Sequence, residues 1–264
     1  MQLKDQVVWI TGASSGIGEA LVYACVKEGA QVVASARRES ELNRVKEACG
    51  PHADQVYVLP LDLTQTEKAA SWAKEVHDQF GHIDLLVNNG GMSQRSRVDE
   101  TPLDNDRRIM EVNFFGQVAL TKAVLPYMKA QGNGHLVAIS SITGKFGFPL
   151  RSAYSASKHA IHGFFETVLL EMKPFGVRVT IVNPGRVRTP ISLSAIKADG
   201  TAQGTMDAGL DAGITPESCA QQILKAVRKN RAEVNIGGKE LLMVYLKRWV
   251  PGLFRRIASN IDPR

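Results

Sequence analysis

A short apolar run, Val7-Val8-Trp9-Ile10, passes without a break into Thr11-Gly12-Ala13-Ser14-Ser15-Gly16-Ile17-Gly18 and then into the helix-forming Glu19-Ala20-Leu21-Val22. Glycines in such a turn allow the backbone to double back tightly and approach a pyrophosphate. The amino end of the helix that follows then stabilises the negative charge. The spacing is Gly-x-x-x-Gly-x-Gly, not the general Gly-x-Gly-x-x-Gly. A strand feeding a helix through a phosphate-sized turn opens a βαβ unit, and the same alternation recurs along the chain. Strands are expected near 6–11, 31–35, 56–60, 83–88, 134–140, 177–183 and 232–236, and helices near 16–29, 38–49, 66–80, 102–130, 152–174 and 216–229. Seven strands and six helices in that order predict an α/β, single-domain Rossmann fold with a doubly wound, seven-stranded parallel sheet. Ligands in such folds bind at the strands' carboxyl ends.

The 264 residues allow one large domain, and 44% hydrophobic with 22% charged residues is ordinary globular composition. No apolar run reaches the ~18 residues that a membrane-spanning helix needs. Met1 to Gln6 lead into the first strand with no apolar signal core, and Cys25, Cys49 and Cys219 are odd in number and scattered. Together these predict a reduced, cytoplasmic protein without disulfides or a metal cluster. The net charge of +6 would suit nucleic acid, but its location argues otherwise. Most of it falls in 239–264, where Lys239, Lys247, Arg248, Arg255, Arg256 and Arg264 face only Glu240 and Asp262. Leu242, Leu246, Trp249, Leu253 and Phe254 are interspersed there. Residues 1–238 therefore read as the Rossmann-type domain and 239–264 as a basic amphipathic extension, packed on it or on a partner, or touching an anionic membrane peripherally. Pro251 should split the extension into two short helices. Residues 190–214 are weakly patterned, a lid or a disordered loop; beside a site, a lid is expected.

Candidate site residues fall just after the predicted strand ends. The second strand ends in Ser35-Ala36-Arg37-Arg38 with no acid before Glu39. An acid there would suit the ribose hydroxyls of NAD, whereas Arg37, assisted by Arg38, suits the 2′-phosphate of NADP. Asp62 could accept a hydrogen bond from an adenine amine, and Asn88-Asn89-Gly90-Gly91 forms a small-residue turn. Tyr154 and Lys158, four residues apart, share a helix face. A neighbouring cation favours the phenolate and would lower a phenol pKa from ~10, fitting it for acid–base chemistry. His135, His159 and His162 lack metal-ligand spacing and an acidic partner, so no metal is expected.

Thr11 to Gly18, Asp62, Asn88-Asn89-Gly90, Asn113, Ser141, Tyr154, Lys158 and Asn183-Pro184-Gly185 resemble, in order, the short-chain dehydrogenase/reductase superfamily over residues 5–237. The stretch Asn88 to Ser96 resembles the dehydrogenase/reductase member-seven subgroup, which is associated with retinoid and steroid carbonyls. The resemblance implies an NADP(H)-dependent enzyme interconverting a carbonyl and an alcohol. Its general acid/base would be Tyr154, with Lys158 lowering the Tyr154 pKa and holding the nicotinamide ribose. Ser141 would bond the carbonyl, and Asn113 would support a water leading to Lys158 or simply mark a helix kink. Gly12, Ser14, Ser15, Gly16, Ile17, Gly18, Leu63, Asn89, Gly90, Pro184, Gly185, Val187 and Thr189 complete the implied cofactor set, Thr189 reaching the carboxamide. Gly90-Gly91 replaces the common Ala-Gly of that turn. Ser141, Phe148, Tyr154 and Arg186, with Phe146 and 190–214, are the expected substrate walls, suited to an apolar body. The family implies a homodimer or homotetramer pairing the helices near 102–130 and 152–174, where Ala160, Gly163, Val168 and Leu169 offer an apolar surface. The alternative is a non-catalytic NADP-binding sensor or scaffold on the same fold.

Overall fold

A computed structural model describes residues 2–261; Asp262 and Arg264 of the basic extension lie outside the described residues. The strands are β1 (Val7–Thr11), β2 (Gln31–Ser35), β3 (Val56–Val58), β4 (Leu85–Asn88), β5 (Gly134–Ile139), β6 (Val177–Pro184) and β7 (Glu233–Ile236). They form one all-parallel sheet ordered β3-β2-β1-β4-β5-β6-β7. The strand order reverses between β1 and β4, which opens a crevice at their carboxyl ends.

The helices are α1 (Gly16–Lys27), α2 (Glu39–Ala48), α3 (Ala69–Phe80), α4 (Leu103–Met110), α5 (Gly116–Gln131), α6 (Ser152–Met172), α7 (Ala208–Asp211), α8 (Pro216–Arg228), α9 (Leu242–Trp249) and α10 (Pro251–Ala258). Every residue of β1, β4 and β5 is buried because both sheet faces are covered. Side-chain alternation sends Val8 and Ile10 to a core shared with Leu21, Leu42 and Ile223. It sends Val7 and Trp9 to a second core with Trp72, Leu120 and Phe165. Thus α1, α2 and α8 cover one face, and α3, α5 and α6 the other. None of the described helices is long and apolar enough to cross a membrane.

The expected single helix over 102–130 is instead α4 joined to α5 by a π-helical turn, Glu111–Phe115. The buried Asn113 stands at its centre. Its Oδ1 accepts from Met92 N (2.8 Å), while its Nδ2 donates to Met92 O (3.0 Å) and Ser157 Oγ (3.1 Å). One extra residue in the turn brings Asn113 round to the loop after β4 and to α6. Residues 190–214 fold into a 3-10 turn, two isolated bridges involving Ile196 and the short α7. Pro251 separates α9 from α10, and Phe254 of α10 packs on Phe146 with ring centroids 5.1 Å apart. Val168, expected on an exposed pairing surface, is in fact a core residue beside Phe165; Leu170 takes the outward position at 73% exposure.

Candidate active site

A cavity of about 430 Å³ lies at the carboxyl ends of β4, β5 and β6. Ile17, Asn89, Ser141, Phe146, Phe148 and Tyr154 line it, and Lys158, Pro184, Gly185, Arg186, Val187 and Thr189 complete the expected residues present there. Arg37 and Asp62 line a smaller cavity of about 280 Å³. Gly12, Ser14, Ser15, Gly16, Gly18, Arg38, Leu63, Gly90 and Asn113 line neither of these two cavities.

The glycine turn is a close-fitting cradle. Gly12 and Gly16 have φ of +66° and +58°, in the left-handed region. A Cβ on Gly18 would lie 2.2 Å from the Gly12 carbonyl oxygen. Asn89 Nδ2 donates to Thr11 O (2.9 Å) and Gly12 O (3.2 Å), tying the turn after β4 to the turn after β1. Ser15, the residue before α1, makes no capping bond with its side chain. The helix amino end thus stays available to an anionic group. Arg37 and Arg38 are exposed beyond β2, and Asp62 Oδ1 is engaged by Thr64 N (3.0 Å) and Oγ1 (2.9 Å). The turn and the free helix end fit the phosphates of a dinucleotide. At Gly90, where alanine is common, a Cβ would meet Leu63 Cδ1 at 2.6 Å. Leu63 therefore packs the turn.

Tyr154 lies in the first turn of α6, whose amino end is held by a residue that the sequence reading did not single out. The fully buried Gln94 accepts at Oε1 from Ala153 N (2.9 Å) and Tyr154 N (3.2 Å). Its Nε2 donates to Ser152 Oγ (3.1 Å), Ser96 Oγ and Thr101 Oγ1. Such contacts satisfy orphan amides of the helix start and fix where the Tyr154 backbone sits. Ser140 and Ser141 diverge as alternation requires. Ser140 Oγ donates to Lys158 O (3.0 Å), whereas Ser141 Oγ turns to the cavity side, donating to Pro184 O (3.5 Å) and accepting from Thr143 N (3.2 Å).

The electrostatics differ from the expectation that Lys158 lowers the Tyr154 pKa. Burial pushes the Tyr154 phenol above its usual value; the Ser141 hydrogen bond and the charges of Arg151 and Arg95 oppose this without overcoming it. Lys158 Nζ stands 5.8 Å from the Tyr154 ring centroid and donates to Ile139 O (2.8 Å). Burial pushes that ammonium down to about 8. At neutral pH the phenol therefore keeps its proton and can donate it.

Two further constellations join distant parts of the chain. Asp207 Oδ2 accepts from Arg95 Nε (3.0 Å) and NH2 and from Arg151 NH2 (3.2 Å); Oδ1 accepts from Gln203 Nε2 (2.8 Å). Burial raises the Asp207 pKa, but the Arg95 and Gln203 hydrogen bonds and both arginine charges leave it lowered. Burial pushes Arg151 down to about 10. Arg95, Arg151 and Asp207 all line the larger cavity, so this cluster fastens 190–214 over it. Glu240 accepts from Arg186 N (2.8 Å) and Gly238 N (3.0 Å), clamping the extension to the loop after β6. A Cβ on Gly185 would lie 2.3 Å from Glu240 Oε1, so a larger residue there would displace the Glu240 carboxylate.

His162 does have acidic neighbours, contrary to expectation. Glu166 Oε1 is 3.5 Å from its Nδ1, and Glu233 lies close by. The spacing hid Glu233, which arrives from β7. Lys145 Nζ fills the space between them, 3.2 Å from His162 Nδ1 and 2.8 Å from Glu233 Oε1, so a cation is already supplied.

The likeness to known proteins runs the length of this architecture. The family model described as short chain dehydrogenase matches residues 6–199. A dehydrogenase/reductase SDR family protein 7-like of Drosophila melanogaster is 39% identical over 258 residues, covering 96% of this chain and 79% of its own. Dehydrogenase/reductase SDR family member 7B of Xenopus laevis is 40% identical over 265 residues, covering 97% and 82%. A solved short-chain dehydrogenase from Streptomyces avermitilis superposes with a TM-score of 0.80 at 31% identity, covering 98% of this chain and all of that one. One from Burkholderia cenocepacia, in complex with NADP, gives 0.82 at 27% identity, covering 99% and 100%. A Burkholderia phymatum protein in complex with NAD shares the fold, at 0.85 and 21% identity over 100% and 99%. Agreement that spans the glycine turn, the tyrosine helix and the sheet between them places the chain among the short-chain dehydrogenases, a nucleotide-binding oxidoreductase family, and within it among the member-seven proteins.

Proposed function

We propose that the protein interconverts a carbonyl and an alcohol using NADP(H), on a substrate with an apolar body. The observation that carries this reading is the convergence of Ser141, Tyr154 and Lys158 on one cavity beside the glycine turn. NADPH, when bound, supplies a hydride to the carbonyl carbon. Arg37, Asp62 and the Gly12–Gly18 turn would hold its adenosine and phosphates, and Lys158, Val187 and Thr189 its nicotinamide end. Ser141 donates a hydrogen bond to the carbonyl oxygen and orients it towards Tyr154. The Tyr154 phenol, protonated at neutral pH, passes its proton to that oxygen as negative charge develops there. Gln94 fixes the helix turn that carries Tyr154, and the Asp207 cluster keeps 190–214 closed over the reacting groups. Ile142, Phe148, Leu210 and Met243 give the cavity apolar walls for the remainder of the substrate. The exposed Phe115 and Leu170, near the faces of α5 and α6, support pairing into a homodimer or homotetramer.

The test is NADPH oxidation at 340 nm against a panel of ketones and aldehydes, with NADH in parallel. Consumption of NADPH in preference to NADH is the expected result. A preference for NADH would remove Arg37 from the reading. Bound NADPH with no turnover across the panel would favour a nucleotide-binding sensor.

A further inference from the structure

The last two helices carry an unusual concentration of bare apolar side chains. Leu242, Tyr245 and Trp249 are 61%, 54% and 72% exposed and recur at spacings of three and four, which makes them one stripe along α9. Val250 (47%) and Leu253 (45%) carry the exposed apolar surface across Pro251 into α10. None of these five residues belongs to the small core that docks the two helices; in that core Phe146, Phe254 and Ala258 are buried, and Met243, Val244 and Leu246 of α9 pack against them beside Ile142 and Phe148.

The charges beside the stripe have one sign. Lys247, Arg248, Arg255 and Arg256 are all exposed, and no acid occurs between Leu241 and Ile261. Tryptophan and tyrosine favour the boundary between water and hydrocarbon, where the ring is buried and its polar edge stays wet. Lysine and arginine reach from such a boundary to lipid phosphates while their stems cover apolar surface. We infer that α9 and α10 form a docking surface for an anionic phospholipid bilayer, with Leu242, Tyr245, Trp249 and Leu253 entering the interface and the four cations meeting phosphate. A second copy of the chain fits this surface poorly. Isologous pairing would set the four cations near their own counterparts with no acid in the segment to neutralise them. Met243 of α9 and Ile261 line the larger cavity, so the docking surface adjoins the substrate pocket. Given the proposed function, a carbonyl compound dissolved in the bilayer reaches the cavity without crossing bulk water.

The protein carries its own reporter. Trp9 and Trp72 are 0% and 9% exposed, which leaves Trp249 as the indole whose surroundings a membrane would change. The whole protein is mixed with vesicles of three parts phosphatidylcholine to one part phosphatidylserine, and separately with phosphatidylcholine alone. A blue shift of the emission and co-sedimentation with the anionic vesicles are expected, bound protein falling roughly tenfold or more between about 0.1 and about 0.5 M salt. Trp249→Glu with Leu253→Glu, and Arg255→Glu with Arg256→Glu, should each abolish sedimentation with thermal stability and NADPH affinity unchanged. Protein that stays in the supernatant with unshifted emission at every salt concentration overturns the inference. So does binding that the folded variants retain. Light scattering that shows self-association abolished by Trp249→Glu would instead assign the surface to a second copy. No arm depends on turnover, so failure here is distinct from failure of the proposed reaction.

Discussion

At the scale of single residues, the proposed preference for NADP(H) rests on Arg37. It stands exposed beyond β2, with no acid before Glu39 to meet a ribose hydroxyl. A charge-assisted hydrogen bond contributes about 1.5–3 kcal/mol, which corresponds to roughly 10- to 100-fold in affinity. Arg37→Asp should therefore lower kcat/KM for NADPH by about that factor while raising it for NADH. Steady-state kinetics with both nucleotides measure this, and an unchanged NADPH/NADH ratio would assign the 2′-phosphate to another side chain. Arg37, Asp62, Tyr154 and Lys158 were legible in the sequence because each follows a strand end or sits at a helical spacing. Gln94 was not: its role depends on α6 starting beside the loop after β4, and its contacts with α6 lie 58 to 60 residues away in the chain.

At the scale of elements, the segment 190–214 is held by one carboxylate between two arginines, with Asp207 and Arg95 almost wholly removed from water and Arg151 largely so. Removing one partner from a buried ionic cluster costs about 3–5 kcal/mol, because the remaining charges are left uncompensated. Asp207→Asn leaves Arg95 and Arg151 facing each other. The expected outcomes are a lower Tm, proteolytic cleavage within 190–214 and a raised KM for the proposed carbonyl substrate. Unchanged Tm and cleavage would mean that the bridges at Ile196, not Asp207, hold the segment. Local pattern revealed the segment's length and weak patterning but could not pair Arg95 with Asp207, which lie 112 residues apart. The same limit hid the π-helical turn at Asn113. Periodicity reads 102–130 as one helix, whereas the extra residue answers to tertiary bonds with Met92 and Ser157.

At the scale of the whole molecule, the alternation of strand and helix settles the fold, and one histidine ties its stability to pH. His135 in β5 is fully buried, with Nε2 2.8 Å from Thr180 Oγ1. Thr180 gives its own proton to Arg231 O (2.7 Å), so His135 Nε2 must be the donor, and Nδ1 has no partner among the described residues. Burial, reinforced by the charge of Arg178, pushes the imidazole down to about 3 from 6.5. Because the folded value lies below the unfolded one, the unfolded chain takes up the proton first as pH falls. The contribution is complete above pH 6.5 and declines by about 1.4 kcal/mol for each pH unit down to the folded value. Calorimetric Tm against pH should show that acid limb, and His135→Gln should flatten it; a limb of equal slope in the variant would place its source elsewhere.

In the proposed nicotinamide-dependent carbonyl reduction, Tyr154 moves the proton. Tyr154→Phe tests this most directly, with NADPH affinity from fluorescence titration and turnover at 340 nm measured on one preparation. Affinity should hold, since α6 and Lys158 are untouched, while turnover falls by about 10²–10⁴, the range of general acid catalysis. Turnover within a few-fold of the parent protein would contradict the account and require another proton donor in the cavity.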